Sequence, residues 1–381
     1  MKVAAALTTS LAASLYATAA WGAPVVLDDA QLNQVVAGED FIIVNKVADQ
    51  ASAGAPTTDP LLINPWGLSQ APGGSLWVAN EDTGTSTIYD FSTFAKVPLN
   101  VTIPGVEDEP GNPTGTTFTT FDGDNFRITK NGVTAHSLFL FDSLDGTISG
   151  WSPLVDPTHA VIAVDRSDDG AGFTGLTIRN AGASSRLYAA DFANNRVEMY
   201  NGQFKRVGTF TDPSLPDGYA PFNVQTLNDK VYVAFALREE EEGEPEEVVG
   251  AGLGYVVVFD TNGTKLKTLV SNGPLNAPWG LTIAPASFGK FAGALLVGNF
   301  GDGKINAFDP ATGQFLGTLQ KNDNGPIEIE GLWALRPGPN GSVVFSAGPD
   351  DEAHGLVGVI RPAWLKASWA DQSHVKLSRA K

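Results

Sequence analysis

Short apolar stretches, each about as long as one β-strand, recur along the chain in a constant order. The first group contains Leu76–Asn80, Thr87–Phe91 and Val97–Ile103, and later groups repeat this succession. The turns between the stretches are rich in Gly, Asp and Asn, as in Asp145-Gly146, and such residues favour tight hairpins. The pattern predicts antiparallel β-structure that is built from one repeated unit.

A short motif opens each unit: a variable residue is followed by Gly, once by Asn, and then by a run that is typical of a β-strand. The Gly and Asn positions are 67, 115, 175, 223, 280 and 331, so successive copies lie 48, 60, 48, 57 and 51 residues apart. Repeats of this period that are built from short strands are typical of a β-propeller. We therefore predict an all-β fold, a six-bladed β-propeller with four-stranded antiparallel blades.

The ends of the repeat array predict how the ring closes. The last unit supplies three clear strands, Leu332–Leu335, Val343–Ser346 and Leu356–Ile360, whereas a spare strand signal, Phe41–Val47, precedes the first motif. Pairing this N-terminal strand with the last blade would close the ring and remove an exposed edge. We predict a propeller over residues 41–361 and a polar C-terminal tail over residues 362–381.

The N-terminus has the features of an export signal. Lys2 is the only charged residue before Asp28, and the stretch between them begins with small and apolar residues. Small residues suitable for cleavage occur at positions 17–19 and 20–22. We predict a signal peptide over residues 1–22 and a periplasmic or extracellular protein. An uncleaved anchor is the alternative, but the stretch is rich in Ala and Thr and poor in Leu, so we expect no membrane span after signal removal.

Charge and cysteine content narrow the classes of partner. The chain of 381 residues carries 42 acidic and 24 basic side chains, a formal net charge of −18, and no cysteine. No basic patch is visible, so nucleic acid and anionic membranes are not expected as partners. Without disulfides the exported chain must rely on its apolar core. We expect a monomer that binds a small molecule, a glycan or a protein at one propeller face.

The variable motif residues form the first candidate site. In an up-and-down blade, the connection into the first strand lies on the same face as the hairpin between the second and third strands. One mouth of the central channel should therefore be ringed by Trp66, Thr114, Thr174, Phe222, Trp279 and Glu330. An uneven ring of this kind suits an asymmetric ligand. The alternative is that the aromatic residues plug the channel or wedge between blades, because they supply large buried areas.

A second ring of polar residues ends the second strands of the blades. The candidate metal ligands are Asn80, Asp142, Asp191 and Asn299. Oxygen ligands on one face suit Ca²⁺ or Mg²⁺. Asp and Asn are also common turn residues that hydrogen-bond nearby backbone, and this alternative explains the same pattern.

Candidate catalytic residues come from the last unit. Its densest polar cluster is Gly348–Gly355, which contains His354, and Glu330 begins the inner strand of the same blade. A His with a carboxylate partner is a plausible general base. A turn that uses its Asp side chains for backbone capping is the alternative. The chain contains no Gly-x-Ser-x-Gly nucleophile motif.

Several runs resemble an uncharacterised family of exported bacterial β-propellers, some of which carry a C-terminal sorting anchor. The runs that carry the resemblance are Tyr219–Gln225, Leu275–Leu281, Phe288–Asp309 and Ala347–Gly358. The resemblance spans about residues 40–360 and implies the fold and export, but no activity. The chain differs from the anchored members in lacking a terminal apolar segment.

More distantly, the motif is similar to NHL-type propellers and to the gluconolactonase/senescence-marker group. Glu330-Gly331 resembles the Glu-Gly start of that group, and Asn223 matches an Asn before an inner strand. The similarity implies a divalent cation in the channel and the opening of sugar lactones. Two hypotheses follow: a binding or scaffold module that acts through one face of its channel, and a divalent-metal-dependent hydrolase or lyase of the lactonase type. The sequence favours the first.

Overall fold

The structure is a computed structural model that describes residues 16–17, 25–26, 40–106, 109–121, 124–239, 246–321 and 325–366. The chain divides into one unit over residues 1–39 and another over residues 40–381. In the first unit, Tyr16–Ala17 pairs antiparallel with Val25–Val26. The rest of the predicted signal peptide, and the tail beyond residue 366, lie outside the described residues.

Six mainly antiparallel sheets of the second unit form blades around a central axis, which confirms the predicted six-bladed β-propeller. Within blades 1 to 5, consecutive strands pair in chain order. The strands of blade 1 are Pro65–Gln70, Leu76–Asn80, Thr85–Tyr89 and Lys96–Thr102. Those of blade 2 are Pro113–Phe118, Phe139–Ser143, Thr147–Trp151 and Val161–Asp165. Those of blade 3 are Phe173–Arg179, Arg186–Asp191, Arg196–Asn201 and Arg206–Phe210.

The remaining blades follow the same plan. The strands of blade 4 are Tyr219–Leu227, Lys230–Leu237, Tyr255–Phe259 and Lys265–Ser271. Those of blade 5 are Pro278–Ile283, Leu295–Asn299, Ile305–Phe308 and Phe315–Thr318. Blade 6 begins with Leu332–Pro337, Val343–Ala347 and Leu356–Pro362. The first strand of each blade lies innermost, against the first strands of its neighbours.

The elements outside the blades are few and short. An additional hairpin in blade 2 pairs Arg127–Lys130 with Val133–His136. Single 3₁₀ turns occur at Ala51–Ala53, Ser167–Asp169, Gly182–Ser184, Gly289–Phe291, Pro339–Gly341 and Ala363–Lys366. Among the described residues, no helix is long and apolar enough to cross a membrane.

An N-terminal strand completes blade 6, as predicted. Phe41–Ala48 pairs antiparallel with Leu356–Pro362, and the short strand Thr57–Thr58 adds to it in parallel. The Phe41 ring is 1% exposed, and its centroid lies 4.8 Å from that of Phe288 and 5.9 Å from that of Phe291, both in blade 5. The closing strand is therefore held by ladder hydrogen bonds and by apolar packing against the neighbouring blade.

The motif glycines let the innermost strands approach one another at the axis. A Cβ atom on Gly67 would lie 2.6 Å from the carbonyl oxygen of Thr114, closer than real Cβ contacts. In blade 4 Asn223 replaces the glycine, and its Nδ2 donates a hydrogen bond of 2.8 Å to the carbonyl oxygen of Trp279. The motif therefore sets the spacing of neighbouring blades by steric fit, and once by a hydrogen bond.

The register of blade 6 differs from the sequence-based alignment of its motif. A β-bulge follows Pro65 in blade 1, and the corresponding bulge follows Leu332 in blade 6. Trp333 therefore occupies the position of Trp66, and Ala334 occupies that of the motif glycine.

Glu330 accordingly lies before the first strand of blade 6. Gly331, which imitates the motif glycine in sequence, has a φ of 62°. This left-handed conformation favours glycine because it has no Cβ atom. Gly331 therefore serves the turn into blade 6 and not the contact between innermost strands.

We expect Phe41→Ala to destabilise the propeller by about 3–5 kcal/mol, because it removes a buried aromatic ring from the closing strand. Urea unfolding of the full chain measures this loss. Phe121→Ala is the matched control, since Phe121 is 70% exposed and its change should cost no more than about 0.5 kcal/mol. Equal effects of the two variants would show that the closing strand is not anchored by Phe41.

Candidate functional site

Aromatic residues of the motif meet at the axis and fill the channel. Trp66 stacks on Trp333, with ring centroids 3.5 Å apart and an interplanar angle of 18°. Its ring also meets Phe222 and Trp279 edge-on, at centroid distances of 6.4 and 6.1 Å. All four side chains are buried. We call Trp66, Phe222, Trp279 and Trp333 the aromatic plug, and it corresponds to the plug interpretation of the motif.

Two of the three indole N–H groups in the plug have a hydrogen-bond acceptor. Trp279 Nε1 donates to the carbonyl oxygen of Thr174 at 2.9 Å, and Trp333 Nε1 donates to Asn64 Oδ1 at 3.0 Å. Trp66 Nε1 is buried and has no acceptor among the described residues. A buried donor without an acceptor costs about 1–3 kcal/mol. An acceptor atom of a ligand would recover that loss.

A cavity of about 850 Å³ opens on one side of the plug. Its floor is aromatic, because Trp66, Phe222 and Trp333 of the plug line it together with Phe192 and Phe300. Loops and strand starts from all six blades contribute to its lining. The cavity therefore lies at the mouth of the channel for which the sequence pattern predicts a ligand.

Four of the six predicted mouth residues line this cavity: Trp66, Thr174, Phe222 and Glu330. Trp279 lies deeper in the plug, and Thr114 hydrogen-bonds Asp142 and the backbone of Phe173. The sequence pattern does not predict Trp333 and Phe300 as cavity residues. Trp333 is recognisable as a motif residue only when the motif of blade 6 is aligned by its β-bulge.

The wall of the cavity is acidic. Its carboxylates are Asp145, Glu246, Glu247, Glu330, Asp351 and Glu352. No basic side chain of the described residues lines the cavity, and none of these six carboxylates forms an ion pair with a described residue. Burial, reinforced by the charge of Glu352, raises the pKa of Glu247 to about 8. We call these six residues the acidic wall.

An asparagine ties the acidic wall to the plug. Asn64 Nδ2 donates to Glu81 Oε2 at 3.0 Å and to Glu352 Oε2 at 2.6 Å, while its Oδ1 accepts from Trp333. Asn112 Nδ2 donates to the other oxygen of Glu81 at 2.8 Å. Burial raises the pKa of Glu81 to about 7, although the two amide hydrogen bonds favour its charged form. This network joins blades 6, 1 and 2.

The backbone that carries Glu352 is strained. Asp350, Asp351 and Glu352 have φ angles of 62°, 51° and 67°, so three consecutive non-glycine residues are left-handed. Each such residue costs of the order of 1–3 kcal/mol, and strain of this kind concentrates at functional sites. The strained turn places two carboxylates in the cavity wall.

Two uncharacterised proteins of Acanthamoeba polyphaga mimivirus are similar in sequence to this chain. One is 33% identical over 328 residues, which cover 83% of this chain and 79% of the viral protein. The other is 32% identical over 326 residues, which cover 83% and 84% of the two chains. The chain belongs to the family of these mimivirus proteins. No protein-family model matches it.

Two solved structures are distantly similar to this member of the mimivirus protein family. Virginiamycin B lyase from Staphylococcus aureus, crystallised with quinupristin, is 10% identical, with a TM-score of 0.48 over 84% of this chain and 99% of that chain. A streptogramin B lyase is 12% identical, with a TM-score of 0.46 over 84% and 97%. Similarities at this level carry no argument about activity. Kinship with exported bacterial propellers stays a prediction.

The two predicted catalytic residues of this family member have different surroundings. His354 Nδ1 lies 2.8 Å from Asp49 Oδ2, and its Nε2 lies 3.7 Å from Asp350 Oδ2. Glu330 instead lines the cavity. The described contacts therefore pair His354 with aspartates and not with Glu330, and the catalytic roles stay predictions.

The four predicted metal ligands are fully buried at the ends of their strands. Side-chain hydrogen bonds join each to its own blade or to the connection leading into it, and these residues are Asn80, Asp142, Asp191 and Asn299. Among the described residues, no group of three or more His, Asp or Glu could hold a metal ion. Ca²⁺ or Mg²⁺ binding stays a prediction.

Asp142, one of these four residues, is buried with only one of its two carboxylate oxygens hydrogen-bonded to residues that the structure describes. Its Oδ1 accepts from the backbone N–H of Gly115 at 2.6 Å and lies 3.0 Å from Thr114 Oγ1. Its Oδ2 is buried and has no partner among the described residues. Burial raises the pKa of Asp142 to about 7, although the hydrogen bonds to Oδ1 favour the charged form.

We expect Asp142→Asn to flatten the pH dependence of stability. The native state keeps the Asp142 proton up to about pH 7, whereas the unfolded chain releases it near pH 4. The wild type should therefore lose unfolding free energy as pH rises from about 4 to 7, by at most about 4 kcal/mol.

Urea unfolding between these pH values compares the variant with the wild type. Asp168→Asn, a change of an exposed aspartate, is the control and should follow the wild-type profile. Parallel profiles for the wild type and Asp142→Asn would contradict the elevated pKa.

Proposed function

We propose that this protein is a ligand-binding propeller whose site is the cavity between the aromatic plug and the acidic wall. The cavity itself carries the proposal, because one concave site receives residues from all six blades. Its volume of about 850 Å³ falls within the range of about 300–1,000 Å³ that is usual for small-molecule sites. No observation on the described residues favours the hydrolase hypothesis over binding.

The composition of the cavity supports this assignment. Ligand sites combine a mostly apolar surface with a few polar groups that orient the ligand. Here the aromatic floor supplies the apolar surface, and the carboxylates with the Trp66 N–H supply the polar groups. The carboxylates lie unevenly around the cavity, mainly on blades 4 and 6, and this asymmetry would orient a bound ligand.

We expect Ala193→Trp to abolish ligand binding, because Ala193 lines the cavity and an added indole would occupy its space. A small-molecule and glycan library screened by saturation-transfer NMR supplies the ligands for this test. Ala311→Trp is the matched control, since Ala311 is exposed outside the cavity. Ligands that bind the wild type and both variants equally would place the site elsewhere.

We also propose that the protein is exported, on the basis of the pattern in residues 1–22. Expression of the full chain in a bacterium should give a secreted or periplasmic product that begins at Ala20 or Ala23, as measured by intact mass. Leu11→Arg should block export because it places a charge in the apolar stretch, and Leu11→Val should not. An unprocessed cytoplasmic product from the wild type would refute the proposal.

A further inference from the structure

We propose that the cavity selects a small organic cation, an ammonium or guanidinium compound whose apolar body lies on the aromatic floor. This inference rests on the proposed function and concerns the class of ligand. It depends on three observations: the acidic wall has no basic partner, the cavity floor is aromatic, and one N–H group in that floor has no acceptor among the described residues.

Several other buried carboxylates of the propeller pair with basic side chains, although Asp142 pairs with no basic side chain that the structure describes. Glu198 Oε1 lies 2.6 Å from Arg206 Nη1 and 2.9 Å from Arg196 Nη2. Asp212 lies 2.6 Å from Lys265 Nζ. Such pairing is expected, because a buried charge without a counter-charge is costly.

At the mouth, no basic side chain of the described residues pairs with Glu81 or with the acidic wall. Glu81 and Glu352 accept hydrogen bonds from the side-chain amides of Asn64 and Asn112. Amides satisfy lone pairs but leave the negative charge uncompensated. The other carboxylates of the acidic wall likewise form no ion pair with a described residue. The mouth therefore presents acidic groups without basic partners inside a concave site, which favours a cation. Burial raises the pKa of Glu81 to about 7 and that of Glu247 to about 8, and a bound cation would stabilise the charged form of both groups.

The floor distinguishes an organic cation from a metal ion. Ca²⁺ and Mg²⁺ require shells of oxygen ligands, and the rings of Trp66, Phe222 and Phe300 offer carbon. An apolar ligand body that covers these rings gains free energy from the surface that it removes from water. Trp66 Nε1, buried in this floor without an acceptor among the described residues, would donate to the π face of an aromatic body.

Three compounds with one indole body and different charges test the inference: tryptamine, tryptophol and indole-3-acetate. We expect isothermal titration calorimetry at low salt to show that the cation tryptamine binds at least about tenfold more tightly than the neutral tryptophol. Indole-3-acetate should bind most weakly, because the acidic wall repels its carboxylate.

A pair of charge-neutralising changes locates this preference. Glu330→Gln with Asp351→Asn removes two exposed carboxylates of the wall, and should lower tryptamine affinity about tenfold while tryptophol affinity changes less than about twofold. Glu328→Gln with Asp350→Asn is the matched control. These residues are neighbours in the same loops, are exposed and do not line the cavity.

The outcomes separate the inference from the proposed function. If the three compounds bind alike and Ala193→Trp abolishes their binding, the cavity is a ligand site without preference for cations, and this inference fails alone. If no binding responds to Ala193→Trp, the proposed function fails as well. Displacement of tryptamine by micromolar Ca²⁺ through the same two carboxylates would make the site a metal site and overturn the organic-cation assignment.

Discussion

The close approach of six innermost strands at one axis is the constraint on which the rest of this structure depends. Neighbouring first strands come so near that a Cβ atom on Gly115 would lie 2.3 Å from the backbone nitrogen of Leu176. Glycine is therefore a steric requirement at four of the six motif positions, whereas Asn223 and Ala334 occupy the other two. The residue before each of these positions is directed into the axial space. Because four of those six residues are aromatic, the channel is filled by the plug, and the propeller gains a solid core in place of a pore.

The aromatic plug influences where the charged side chains of the channel lie. A channel that is closed by apolar rings must gather its polar groups at the mouths, and this protein gathers carboxylates at the mouth above the plug. The formal charge of −18 is thus partly a local property of one face. The strained turn at residues 350–352 shows that these carboxylates are placed at an energetic cost, which is more than solubility requires.

The fold could be predicted almost completely from the sequence, whereas the site could be predicted only in outline. The repeat period and the spare strand near Phe41 report local patterns, and local patterns survive in sequence. The motif of blade 6 was misplaced because Gly331 satisfies a turn and imitates the glycine that Ala334 replaces, so Trp333 was missed. The contact of Asn64 with Glu352 spans 288 positions, and that of His354 with Asp49 spans 305. No periodicity encodes such pairs; only the closed ring creates them.

Closure of the ring and occupation of the cavity are coupled through Asn64. Its amide joins Glu81 of blade 1 to Glu352 of blade 6, and its oxygen holds the plug through Trp333. The seam between these blades is also where the N-terminal strand completes the sheet. In their charged forms, the two carboxylates that share this amide repel each other across that seam, since the amide brings no positive charge and burial raises the pKa of both. A cation bound at the acidic wall would screen this repulsion, so binding and closure of the propeller should stabilise one another.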